Sequence, residues 1–150
     1  MNISTRGRYG VMAMAELAMQ HGSGPVPLKT IAERQGLSEN YLEQLFASLR
    51  KAGLVRSVRG ATGGYLLARD PAQISVGDVL RVLEGPLAPA ECAIEGSPGY
   101  EHCGNVQNCL ARSVWVRLKE EIDRVVDGIS LASLCEEART VQPSDVMYYI

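Results

Sequence analysis

Between Leu28 and Gly53 the chain reads LKTIAERQGLSENYLEQLFASLRKAG, and the corner Gly36-Leu37-Ser38 constrains it more than any other feature. Glycine just past a periodic run is a helix stop, and serine before one is a helix start. A stop and a start this close cannot belong to one rod, so two helices must leave the corner in different directions. The first begins near Pro27, where a missing N–H costs nothing, and turns Leu28, Ile31 and Ala32 inward. In the second, Glu39 lies in the first turn and Tyr41, Leu42, Leu45, Phe46 and Leu49 form one apolar stripe. These residues alone fit a helix-turn-helix and an ordinary helical hairpin equally well.

The next segment separates the two. Leu54–Val58 and Tyr65–Ala68 are strand-like runs joined by Arg59-Gly-Ala-Thr-Gly-Gly64, a hairpin signal. A helix-turn-helix followed by a hairpin is a winged helix. A phosphate-cradling loop is a poor alternative, because no Lys-Ser/Thr follows the glycines and no helix opens there. Upstream, Val11, Met12, Ala15, Leu17, Ala18 and Met19 recur at helical spacing over Arg8–Met19, and a Gly/Pro-rich stretch after His21 ends the run. Downstream, Val76, Val79, Leu80 and Val82 predict a short helix over Ser75–Leu83, closed by Gly85-Pro86.

Beyond Pro86 comes a loop carrying Cys92, Cys103 and Cys109. Leu110, Val114, Trp115, Leu118, Ile122, Val125 and Val126 then predict an amphipathic helix ending at Gly128. Its apolar stripe either packs on its own domain or pairs with a second copy in a homodimer. Ser130 caps a last short helix, Leu131–Ala138, and Val141–Ile150 reads as extended. The fold class expected is mainly α with a small β-hairpin: a winged helix-turn-helix domain over residues 1–85, a cysteine loop over 86–109, a dimerisation helix over 110–128, and a short helix and tail over 129–150.

Charge divides along the chain. Residues 1–69 hold nine Lys/Arg against four Asp/Glu, whereas residues 70–150 hold six against thirteen. The front half is therefore the candidate for meeting phosphate. No run approaches the roughly 20 apolar residues that span a bilayer, so no membrane partner is expected and a cytoplasmic location is. In that reducing compartment clustered thiols point to a metal, a cluster or redox chemistry rather than to a disulfide. Zinc usually takes a close Cys-x2-Cys pair, which this loop lacks. Cys135, among Leu131, Leu134 and Ala138, reads as a buried small hydrophobe. Neither His21 nor His102 sits in a catalytic motif, and no enzyme activity is expected.

If the second helix of the pair reads DNA, its first turns carry Ser38, Asn40, Tyr41, Glu43 and Gln44. Asparagine pairs with adenine and glutamate accepts from the cytosine amino group, while Tyr41 is equally a core residue. Arg59 heads the wing, where a guanidinium suits a narrow minor groove. Arg50, Lys51 and Arg56 meet either phosphate or only water.

Ile3-Ser-Thr-Arg-Gly-Arg-Tyr-Gly10, Leu28-Lys-Thr-Ile-Ala32, Ser38-Glu-Asn-Tyr-Leu-Glu-Gln-Leu45, Leu49-Arg-Lys-Ala-Gly-Leu-Val55, Arg59-Gly-Ala-Thr-Gly-Gly-Tyr65 and Val82-Leu-Glu-Gly85 together resemble the Rrf2 family of bacterial winged-helix regulators. The resemblance implies a transcription regulator that binds a pseudo-palindromic operator in double-stranded DNA as a homodimer. The cysteine loop is similar to that of the iron-sulfur-cluster regulators and nitric-oxide sensors of the family, which implies a 2Fe-2S cluster on Cys92, Cys103 and Cys109 and a signal of cluster supply or redox or nitric-oxide stress. Two departures stand out. The first cysteine spacing is longer than the family's, and Arg112 stands where the resemblance expects a ligating histidine; a charged guanidinium cannot ligate iron. His102, Glu91, Glu95 and Glu101 are the nearby substitutes, and a residue from the N-terminal helix of the partner subunit is a further one. The alternative is the family's cluster-free branch, regulators of cysteine and sulfur metabolism controlled by a protein partner.

Overall fold

Ser4 starts the first helix a turn earlier than the apolar pattern alone suggests. Helix α1 spans Thr5–Met19, and the Ser4 hydroxyl accepts from the Gly7 amide at 3.4 Å. The decisive partner lies far along the chain: a Glu84 carboxylate oxygen accepts from the Ser4 and Gly7 amides at 3.0 Å each, and from the Ser4 hydroxyl. An anion among the unpaired amides of a helix start stabilises that turn. The face that α1 buries also differs from the expectation. Ala13, Met14, Leu17 and Ala18 are in the core, while Met12 and Met19 are 42% and 39% exposed. With nearly every position from 11 to 19 apolar, only the packing partners decide which stripe turns inward.

The computed structural model describes residues 1–141. Of the extended tail expected over Val141–Ile150, residues 142–150 lie outside the described residues. Helix α2 spans Leu28–Gln35 and ends at Gly36, whose φ of 66° is left-handed and open to glycine at no steric cost. Helix α3 spans Glu39–Lys51, with the Ser38 hydroxyl accepting from the Tyr41 amide at 3.1 Å. Leu42, Leu45, Phe46 and Leu49 are wholly buried. Strands β1 (Val55–Val58) and β2 (Gly64–Leu67) form an antiparallel wing, Val55 opposite Leu67. Tyr65 exchanges backbone hydrogen bonds with Val26 at 2.9 Å and packs its ring edgewise on Phe46, tying the wing to α3 and the α1–α2 connection.

Helix α4 (Val76–Glu84) starts in a Ser75/Asp78 capping box and lies against α1. Gly10 makes that approach possible, because a Cβ there would overlap a Leu83 methyl group. Helix α5 (Pro98–Glu101) is a single turn inside the cysteine segment, flanked by a 3-10 turn over Glu91–Ala93. Helix α6 runs Arg112–Asp127, so Leu110, expected on its stripe, precedes it and is 94% exposed. Helix α7 (Leu131–Thr140) returns to α1 and buries Leu131 and Cys135 in the same core as α1–α4 and the wing. Among the described residues no helix is long and apolar enough to cross a membrane.

Candidate DNA-reading face and cysteine segment

The helix start at Ser38 aims the first turns of α3 outward. Ser38, Asn40, Glu43 and Gln44 are exposed, while Leu42 and Leu45 on the opposite face are wholly buried. That separation follows from helical periodicity, and it leaves polar side chains free to meet base edges. Tyr41 is shared between the two faces: half-buried, it meets Tyr9 edge to face with ring centroids 6.2 Å apart. Its ring supports the junction of α1 and α3, so core packing occupies much of it. Arg6 reinforces the same junction by donating to the Ser48 hydroxyl at 2.8 Å. Arg59 is exposed at the wing tip, and Arg50, Lys51 and Arg56 are exposed beside α3 and on β1.

The cysteine segment is arranged otherwise. Cys92 and Cys109 are half-buried and Cys103 is exposed. Among the described residues no three His, Cys, Asp or Glu side chains come together closely enough to hold a metal ion. His102 caps α5, and its Nδ1 lies 2.8 Å from the Pro98 carbonyl; Glu91, Glu95 and Glu101 are exposed. Arg112 is engaged with the segment itself. Its Nε donates to the Cys92 carbonyl at 3.0 Å, and its guanidinium lies 5.1 Å from the centre of the Tyr100 ring. The position where the resemblance puts a histidine thus holds a cation that clamps the loop. Three soft thiols suit iron in kind, and this arrangement leaves them unassembled.

Sequence reasoning treated Arg112 only as a missing ligand. Its roles toward Cys92 and Tyr100 leave no local signal, because both partners lie in an irregular segment whose path the spacing does not reveal.

Comparison with known proteins places these features in a family. Residues 3–137 match Rrf2, described as an iron-dependent transcriptional regulator. The chain is 44% identical over 150 residues to the transcriptional regulator CymR of Bacillus subtilis, covering all of both chains. The structure of that protein, described as the global cysteine regulator of B. subtilis, superposes with a TM-score of 0.75 over 91% of this chain and 98% of the other. Against IscR of Aliivibrio salmonicida the identity is 43% over 145 residues, 97% of this chain and 83% of the relative. The solved IscR of T. potens is 50% identical, with a TM-score of 0.75 over 99% of this chain and 97% of that one. CymR of Bacillus subtilis and IscR of Aliivibrio salmonicida are both named as transcriptional regulators. With the helix-turn-helix, the wing and nearly the full length in register, the chain belongs to the Rrf2 family of winged-helix, DNA-binding transcriptional regulators and is not an enzyme.

Proposed function

We propose that the protein is a homodimer that binds a pseudo-palindromic operator and reports cluster supply, or redox or nitric-oxide stress, through a 2Fe-2S cluster on Cys92, Cys103 and Cys109. The observation that carries this reading is the placement of three cysteines between residues 92 and 109, on the segment that leads directly into α6. Such a cluster supplies electron-transfer and ligand-exchange chemistry sensitive to oxidants. The chain's own residues do the rest. Asn40 and Gln44 donate to and accept from adenine edges, Glu43 accepts from cytosine, and Arg59 enters the minor groove. Val114, Leu118 and Val125, 48%, 44% and 59% exposed, give α6 an apolar face that a second copy covers. The fourth ligand is assigned to His102, with Glu91, Glu95 and Glu101 as the carboxylate substitutes.

The cluster-free reading has its own support: 44% identity to CymR over the full length of both chains, and Arg112 at the position where the resemblance puts a ligating histidine, bound to the Cys92 carbonyl. Iron and acid-labile sulfide in anaerobically purified protein, together with visible absorbance, decide between them. Brown protein with iron near two atoms per chain, lost in the Cys92→Ala, Cys103→Ala, Cys109→Ala triple variant, supports the cluster. Colourless protein that still binds its operator supports the other.

A further inference from the structure

Helix α6 has no fully buried residue in the protomer and packs on α4 through half-buried side chains such as Val126, a slippery surface on which specific polar contacts set its direction relative to the winged-helix unit. Two are backbone bonds just beyond its C-terminal end: the Val76 amide donates to the Ile129 carbonyl at 2.8 Å, and the Leu131 amide to the Ile74 carbonyl at 2.9 Å. A third contact is an ionic fork. Arg81 of α4 donates through Nη1 to Asp127 Oδ1 at 2.6 Å, and through Nη2 to Asp127 Oδ2 at 3.0 Å and Asp123 Oδ1 at 2.8 Å. The two aspartates stand one turn apart on α6, and Lys119, one turn further back, donates to Asp123 at 2.6 Å. A planar guanidinium bound to two carboxylates on one helix fixes direction as well as distance, which a point charge does not.

The seat for this fork is shaped by Gly77, one turn before Arg81. A Cβ at that position would overlap Asp127 Oδ1 and stand 2.9 Å from Arg81 Nη1 and 3.1 Å from Val126 Cγ2. The Arg81 side chain is 34% exposed and that of Asp127 is 49% exposed, so solvent screens the pair and its energetic contribution is small. Its geometric contribution is what remains.

We propose that Arg81 is a positioning residue: it sets the angle between α6 and the winged-helix unit, and thereby the separation and rotation of the two recognition helices in the dimer. This rests on the homodimer reading given above. DNA converts the angle into discrimination, because moving one half-site by a base pair displaces it by about 3.4 Å and turns it by about 35°. A stiff joint tolerates neither.

The test uses the full-length protein and a half-site selected by the wild type from a random duplex pool. Duplexes carry two copies of it at separations varied one base pair at a time, in competition at fixed salt. The wild type should prefer one separation by at least about tenfold over its neighbours, and Arg81→Met, which keeps the aliphatic stem, should reduce this to below about threefold. Affinity for a duplex with a single half-site, and the sedimenting mass of the dimer, should stay at wild-type values. Arg81→Lys should resemble Arg81→Met, and full recovery by lysine would overturn the role of the fork. A wild-type spacing preference retained by Arg81→Met overturns the proposal and leaves the dimer reading intact. A monomeric wild type, or one indifferent to spacing, overturns both. Should Arg81→Met fail to fold by circular dichroism, Gly77→Ala keeps every charge, displaces Asp127 and must show the same loss of preference.

Discussion

Cys103 and Cys135 mark the extremes of thiol exposure in this chain, and the difference has a chemical consequence. Burial pushes the Cys135 thiol above its ordinary pKa, its neighbour Arg139 opposing the shift and Glu16 adding to it. Less thiolate and less access both slow alkylation. In reduced, metal-free protein at pH 8, iodoacetamide should label Cys103 first, Cys92 and Cys109 next, and Cys135 only on unfolding; mass spectrometry of the peptides against time measures the order. Labelling of Cys135 at the rate of Cys103 would contradict the burial. The character of Cys135 was legible from its neighbours, since Leu131, Leu134 and Ala138 place it on an apolar helix face. The clamp of Arg112 on Cys92 was not. It depends on how an irregular segment folds back on the start of α6, and no periodicity encodes that path.

At the scale of elements, α3 separates stability from recognition on its two faces. Phe46 is wholly buried and meets Tyr65 edge to face with ring centroids 4.9 Å apart. Phe46→Ala should therefore destabilise the protein by about 3–5 kcal/mol in denaturant melts, since a large ring leaves a cavity that its neighbours only partly fill. Glu43→Ala, on the exposed face, should change stability by less than about 0.5 kcal/mol. It should instead relax the ranking of variant half-sites in competition binding; equal losses of stability from the two substitutions would deny the division of faces. The boundaries of α2 and α3 were legible because Gly36 and Ser38 act locally, through a left-handed backbone and a hydroxyl cap. The start of α1 was not, because its cap is completed by Glu84, remote in sequence. Its buried stripe was legible only in part, at Leu17 and Ala18 but not at Met12 and Met19, for a related reason: alanine and methionine alternate so densely there that α4 and α7 choose the face.

For the whole molecule, two measurements address the attachment of α6. Placing aspartate at both Leu118 and Val125 should shift the sedimenting species from dimer to monomer at micromolar concentration while the melt of the protomer changes little, because both side chains are already largely exposed. Acid should loosen the joint with α4. Desolvation tends to raise the Asp123 carboxyl, but hydrogen bonds from Lys119 and Arg81 outweigh it and hold the group below its ordinary 3.8. A depressed folded value stabilises above the unfolded one and loses that contribution as pH falls through it. The stability difference between wild type and Asp123→Asn should thus be constant above about pH 5 and close below pH 3.8; a difference unchanged at low pH would show that Asp123 carries no ionic role. The sequence by itself determined the helix-turn-helix, the wing and the thiol-bearing segment, because caps, glycine turns and apolar periods act over a few residues. Only the tertiary structure decided that α7 returns to the core of α1, that Arg81 seats two aspartates of α6 beside Gly77, and that Arg112 engages Cys92 and Tyr100 of the cysteine segment. Each of these joins residues distant along the chain, and such pairings are set by the packing of whole elements rather than by any local pattern.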